Sequence, residues 1–139
     1  IAHEIGHWSH RHIVLGIITG SAASFLALYV LHLLLQKMGF HADFRALPLA
    51  MLFLALLSFA AAPVENALSR HWEREADRTA FSLTGDGAPF VSLFRKLSLS
   101  NLSVAQPHPL LKATLYTHPP TLERIEAALQ HAERQEQAP

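Results

Sequence analysis

The stretch Ile13-Val14-Leu15-Gly16-Ile17-Ile18-Thr19-Gly20-Ser21-Ala22-Ala23-Ser24-Phe25-Leu26-Ala27-Leu28-Tyr29-Val30-Leu31-His32-Leu33-Leu34-Leu35 contains no Asp, Glu, Lys or Arg. As a helix it is long enough to cross a hydrocarbon layer of about 30 Å. A second uncharged run, Ala46 to Val64, lies between Arg45 and Glu65, near the lower spanning limit of about 17 to 20 residues. We read residues 13–35 and 46–64 as two membrane helices, joined into a hairpin by a connector around Lys37 to Leu47. The plainer alternative is a pair of core helices in a soluble protein, where uncharged runs of this length are rare. A cleavable signal peptide does not fit, because the first run follows a polar, histidine-rich segment. Gly16, Gly20, Ser21, Ala22, Ala23 and Ser24 are small enough to let helices approach closely in lipid.

Working outward, the pattern predicts helix throughout: one long helix over residues 1–36, a second spanning helix from Pro48 to about Ala62, and Pro63 as a kink or a fresh first turn. Polar groups at Asn66, Ser69/Arg70, Glu73 and Asp77 keep helical spacing up to Leu83, with Gly85-Asp86-Gly87 as terminator. A shorter helix follows from about Pro89 to Leu99. Residues 100–118 are rich in Asn, Ser, Pro and His and predict an extended stretch with one helical turn near Leu110 to Leu115. After Pro119-Pro120, Leu122, Ile125 and Ala128/Leu129 mark an amphipathic helix, and Glu133 to Pro139 reads as a fraying tail. No segment alternates as a strand. The fold class expected is therefore an all-α integral-membrane protein.

Composition supports this class. Of the 139 residues 50% are hydrophobic and 16% charged, giving a mean hydropathy of +0.21 that comes from the concentrated apolar runs. The charges balance, 11 basic against 11 acidic, so no nucleic-acid partner is indicated. Without cysteine there is no disulfide framework, and any metal site must use His and carboxylate. The chain begins with Ile1 and its first motif starts at residue 3, which reads as the C-terminal piece of a longer protein.

That first motif is Ile1-Ala2-His3-Glu4-Ile5-Gly6-His7-Trp8, an HExxH sequence. On a helix, residues four apart share a face, so His3 and His7 can offer two imidazoles to one metal ion with Glu4 beside it. Catalytic zinc takes three protein ligands and leaves a position for water, whose proton a neighbouring carboxylate accepts. One further ligand is required. Two membrane crossings return the chain to the side it left, so this ligand is expected after residue 64. Glu73 is attractive because Asp77 follows at i+4, allowing one carboxylate to ligate and the other to orient an imidazole. Glu65 is a rival near the membrane boundary, Glu75 points elsewhere on the helix, and Glu123 reads as surface. His10 shares the face of His3 and His7, but three ligands at i, i+4 and i+7 converge poorly on one ion, and an interfacial polar role suits it better.

With these motifs in place, the sequence resembles the type I CAAX prenyl proteases, integral-membrane zinc endopeptidases. The segment His3 to Trp8, followed by His12, is similar to that family's metal-binding segment. Pro63-Val64-Glu65-Asn66-Ala67-Leu68-Ser69-Arg70-His71-Trp72-Glu73-Arg74-Glu75-Ala76-Asp77 resembles its second motif. The resemblance implies that Glu73 is the third zinc ligand and that Asp77 supports a ligand histidine. A third block, with Asn101-Leu102-Ser103, Pro107-His108-Pro109-Leu110 and Thr117-His118-Pro119-Pro120-Thr121-Leu122-Glu123-Arg124-Ile125, resembles the family's C-terminal segment, which implies that His118 and Arg124 lie near the substrate carbonyl. The heat-shock-linked membrane proteases of bacteria share the zinc site and a similar His-Pro-Pro ending; Asn66 and Pro107-His108-Pro109 tilt the reading toward the prenyl-protease branch. Family members carry further membrane helices before the zinc motif, so the chamber they enclose is not represented here.

The expected chemistry is a single zinc ion on His3, His7 and Glu73, with Glu4 as general base, His118 and Arg124 stabilising the carbonyl oxygen, and Asp77 fixing a tautomer. The resemblance implies peptide substrates, with C-terminal tripeptides released from prenylated cysteine in eukaryotic relatives. His118 as a cap for the helix after Pro119, and Arg124 paired with Glu123 or Glu126 on a solvated face, are the plainer readings. Arg70 reads as a structural ion-pair or membrane-edge residue. His32, His41, His71 and His131 are assigned no function, and Trp8, Trp72 and Tyr29 read as interfacial or packing aromatics. A non-catalytic membrane scaffold is the alternative of a different class. Arg11, Arg70, Arg74 and Arg78, against Lys37 and Arg45 in the connector, favour a cytoplasmic active site.

Overall fold

The computed structural model describes residues 1–40, 43–85 and 87–137; His41 and the Asp86 of the expected terminator lie outside these. The elements are α1 (Ala2–Ser9), α2 (His12–Lys37), a 3-10 turn (Phe44–Ala46), α3 (Leu47–Thr84), α4 (Ala88–Ser100), α5 (Pro109–Leu115) and α6 (Thr121–Glu136). Among the described residues there is no strand, and the all-α expectation holds. The chain divides into two compact units, residues 13–62 and residues 1–12 with 63–139.

Three local expectations change. The single helix over 1–36 is broken, because Arg11 has a φ of 56°, a left-handed conformation that no side chain adopts within a right-handed helix. The helix α3, by contrast, runs through Pro63 as one element, so no fresh first turn starts there. Helix α6 continues to Glu136, further than a tail fraying from Glu133.

In the unit of residues 13–62, α2 and the first part of α3 are long and apolar enough to cross a membrane, and their apolar windows bury nothing within the chain. Phe25 and Phe59 are each 75% exposed. A Cβ added at Gly20 meets open space, so the close packing expected of that residue is not made inside this chain. Helix α2 is closed beyond Lys37 by Gly39, whose φ of 83° lets Phe40 N–H reach Leu35 O and Gly39 N–H reach Gln36 O, both at 3.0 Å. This paired closure takes up carbonyls that the last turn leaves without intrahelical donors.

The other unit is built on a small core of Phe81, Phe94 and Ala128, flanked by Phe90, Val91 and Ile125. Phe81 and Phe90 meet edge to face at 4.8 Å, the arrangement their ring quadrupoles favour. Ala128 is fully buried while Leu129 is 48% exposed. The inner edge of α6 is therefore Arg124, Ile125 and Ala128 rather than the leucines on either side, and this turns Arg124 inward.

Candidate metal centre

The site begins with a contact that only glycine permits. A Cβ on Gly6 would lie 2.7 Å from Ala76 Cα and 2.8 Å from Ala76 O, and Ala76 itself is fully buried. The backbones of α1 and α3 thus touch where both side chains are minimal. His3 and His7 flank Gly6, and Glu73 and Asp77 flank Ala76, so this contact brings the four functional side chains together.

His3 Nε2 and His7 Nε2 are 3.1 Å apart. Glu73 Oε2 lies 3.4 Å from His3 Nε2, and Glu73 Oε1 lies 3.3 Å from His7 Nε2. Ligands about 2.0 to 2.1 Å from a tetrahedral zinc are separated from one another by about 3.3 Å. The three side chains therefore fit such an ion. Glu73 Oε2 is buried and accepts no hydrogen bond, which costs free energy unless a cation takes it up. Among the described residues, these three form one of two groups able to hold a metal.

Behind His3 stands Asp77. Its Oδ1 is 2.9 Å from His3 Nδ1, so Nδ1–H donates to it and Nε2 is left free for a metal. Arg124 grips the same carboxylate with both ends of its fork, Nε to Oδ2 at 2.8 Å and Nη2 to Oδ1 at 2.6 Å. The guanidinium also lies over the Phe94 ring, 4.4 Å from its centroid. Arg124 is thus paired with Asp77, not with Glu123 or Glu126 on a solvated face, and it reaches Glu73 Oε2 only at 4.0 Å. Glu123 instead meets Lys112 and Arg74.

The bond to Asp77, with the Glu73 carboxylate alongside and against the effect of burial, pushes His3 up to about 9. Burial pushes Asp77 upward, but the bonds from His3 and Arg124 outweigh it and hold its carboxyl below the usual range. Burial acts the same way on Glu73, where His3, His118 and Arg124 together win and keep it anionic. The metal-free cluster thus balances its two anions with a protonated imidazole and a guanidinium.

His118 Nε2 stands 3.6 Å from Glu73 Oε1, on a side chain that is 60% exposed. Pro120, not His118, occupies the N-cap of α6, which removes the capping role. Two residues deliver His118 by fixing the end of α5. Asn66 Nδ2 donates to Thr114 O at 2.7 Å, and Arg70 Nη1 donates to Lys112 O and Tyr116 O at 2.8 and 2.6 Å. Arg70, 7% exposed, therefore serves a helix C-terminus, where a cation is favoured, and its partners among the described residues are carbonyls rather than a carboxylate. Glu4 is exposed and sits between His3 and His7 on α1. A cleft of about 430 Å³ bounded by Arg70, Lys112, Glu123 and Glu126 includes none of His3, His7 and Glu73.

Sequence reasoning passed over the surroundings of His7. Its Nδ1 is 3.0 Å from His12 Nδ1, and His12 Nε2 is 3.1 Å from Glu75 Oε2. His10, His12 and Glu75 form the second group able to hold a metal. The rings of His10 and His12, however, stack at 5.4 Å with only 12° between their planes, so their lone pairs lie in separate parallel planes and converge poorly. His10 also contacts Thr79 Oγ1 at 3.0 Å. The only sequence signal for His12 was its place after the HExxH segment.

"Uncharacterized metalloprotease YhfN" of Bacillus subtilis is 36% identical over 149 residues, covering 100% of this chain and 34% of that protein. "CAAX prenyl protease 1 homolog" of Mus musculus is 31% identical over 137 residues, 91% of this chain and 29% of its own length. "Protease HtpX homolog" of Syntrophotalea carbinolica is 32% identical over 147 residues, 90% of this chain and 52% of its own. The chain thus spans from 29% to 52% of the length of these relatives. Residues 1–132 match peptidase family M48, from α1 into α6, and the chain belongs to that family.

Proposed function

We propose that this chain is the metal-holding part of a membrane zinc metalloendopeptidase, with one ion held by His3, His7 and Glu73. The observation that carries the reading is the ligand triangle at tetrahedral spacing, with a buried Glu73 oxygen that no donor satisfies. Its membership of a peptidase family and relatives named as metalloproteases support the same chemistry. A zinc ion there supplies Lewis acidity, bringing the pKa of a water toward neutrality and drawing charge onto a scissile carbonyl oxygen.

The rest is the work of the chain's own residues. Glu4 accepts the proton of the attacking water and hands it to the leaving amine. His118 donates to the carbonyl oxygen as charge builds there, a contribution of about 3 to 4 kcal/mol for a well-placed donor. Asp77 holds His3 in the tautomer that leaves Nε2 free. Arg124 acts through Asp77, since two of its donors are on that carboxylate, and it is a positioning residue rather than a contact to substrate.

A scaffold with a closed structural site requires a fourth protein ligand. Among the described residues the group has three, which favours the open position of an enzyme. The substrates are peptides, prenylated ones on the strength of the prenyl-protease relatives. Relatives named as HtpX proteases support a second reading, cleavage of unfolded membrane proteins without a lipid requirement. Offering the full-length enzyme a prenylated peptide and an unmodified unfolded protein separates the two. Helix α2 and the apolar part of α3 lie in the bilayer, with the site on the cytoplasmic side as the arginine distribution favours.

Glu4→Gln in the full-length protein tests the mechanism. Zinc content is expected to stay at one ion per chain while peptide cleavage falls by about a thousandfold. Substantial remaining proteolysis ends the general-base assignment.

A further inference from the structure

We propose that His12, with Glu75 behind it, is the positioning partner of the ligand His7. The proposal rests on the reading of His7 as a metal ligand and adds a relay on its far side.

The protons in this relay have one consistent arrangement. A metal on His7 Nε2 leaves the proton of that ring on Nδ1. His12 Nδ1, at 3.0 Å, must then be the acceptor, because two N–H groups or two lone pairs would repel. The proton of His12 is therefore on Nε2, 3.1 Å from Glu75 Oε2, to which it donates. Both nitrogens of His12 are engaged, and its ring is stacked with two others. Trp72 lies at 5.5 Å and 18°, and His10 at 5.4 Å and 12°. His12 is only 4% exposed, and a ring held this way cannot tumble to offer another atom.

Backbone geometry points the same way. On a straight helix a residue five positions after His7 lies about 140° around the axis from it. The left-handed Arg11, at φ 56°, ends that helix and lets His12 return to His7. Such a conformation costs a non-glycine residue free energy, and it occurs where it places a ring against a ligand. An observed outlier of this kind is a reason to look for a function beside it.

The test is zinc affinity of the full-length protein, measured by competition with a chromophoric chelator, alongside the visible spectrum after cobalt substitution. His12→Phe keeps a stacking ring but removes the acceptor, and is expected to weaken zinc about 10- to 100-fold and to shift the cobalt bands. His12→Gln stacks less well but offers an oxygen to His7 Nδ1–H, and is expected to recover most of that loss. A purely packing role reverses this order, with Phe tolerated and Gln damaging, and that result overturns the proposal. Should His12→Phe fail to fold, Glu75→Ala reads the relay from its partly exposed end, and parental affinity there overturns it equally. A second tightly held zinc that disappears with His12 also overturns it, in favour of a metal on His10, His12 and Glu75. His7→Ala separates the two layers of argument. If it loses zinc while His12→Phe binds as the parent does, only the relay fails; if it keeps zinc, the ligand reading of His7 falls and the relay with it.

Discussion

His3 and His7 present the same atom to the same point, yet they are backed by different chemistry. Behind His3 is an anion, Asp77, 4% exposed and gripped by both ends of Arg124. Behind His7 is another imidazole, His12, with the more open Glu75 beyond it. A buried carboxylate against an N–H makes the imidazole a stronger base, and in the metal-free protein it holds a proton there. An imidazole acceptor fixes the ring without bringing a full charge next to it. The first flank couples the site to pH and the second sets orientation.

The largest test of this contrast is to remove the charge on each side in turn. Asp77→Asn is expected to weaken zinc about 10- to 100-fold and, by leaving Arg124 without its anion, to destabilise the fold by on the order of 3 kcal/mol. Glu75→Gln keeps an acceptor for His12 and is expected to weaken zinc less than about fivefold. Chelator competition and thermal unfolding measure both, and equal losses on the two sides break the comparison.

A smaller effect sharpens it. His3 in the metal-free protein is pushed up to about 9 from its ordinary 6.5, so the folded state holds this proton more tightly than the unfolded chain. That stabilisation is complete below about pH 6.5 and fades as pH rises through about 9. Zinc requires the same Nε2 lone pair, so its affinity is expected to climb with pH up to about 9, with about one proton released from His3 at pH 7.5. Calorimetry in two buffers of different ionisation heat counts that proton. Asp77→Asn is expected to reduce the count, whereas Glu75→Gln is not.

The smallest expected effect treats both flanks alike. Gly6→Ala places a methyl on the Ala76 backbone, and overpacking of this kind costs about 1 to 3 kcal/mol. Zinc binding at both histidines is expected to suffer together, in step with the melting temperature. A selective loss on one side shows that α1 pivots rather than lifts.

Much of this could be seen before the coordinates. Charge-free runs announced the two long apolar helices, because a missing charge is a local property of the sequence. The spacing of His3 to His7 and of Glu73 to Asp77 reads directly as one helix face each. What lay hidden was tertiary. No Gly or Pro stands at residues 9 to 11 to announce the break at Arg11, so His12 sat on the wrong face of an imagined continuous helix. The partnership of Arg124 and Asp77 spans 47 positions; the leucines of α6 suggested a different inner edge, which hid it. Asn66 and Arg70 bond to carbonyls, and carbonyls leave no mark on a sequence.

The contact between Gly6 and Ala76 has one more consequence. With only main chain between the two helices there is no compressible layer to absorb a displacement. Any force that wedges α1 from α3 reaches the triangle of His3, His7 and Glu73 undamped. The grip on the ion thereby becomes a gauge of how firmly those helices are pressed together.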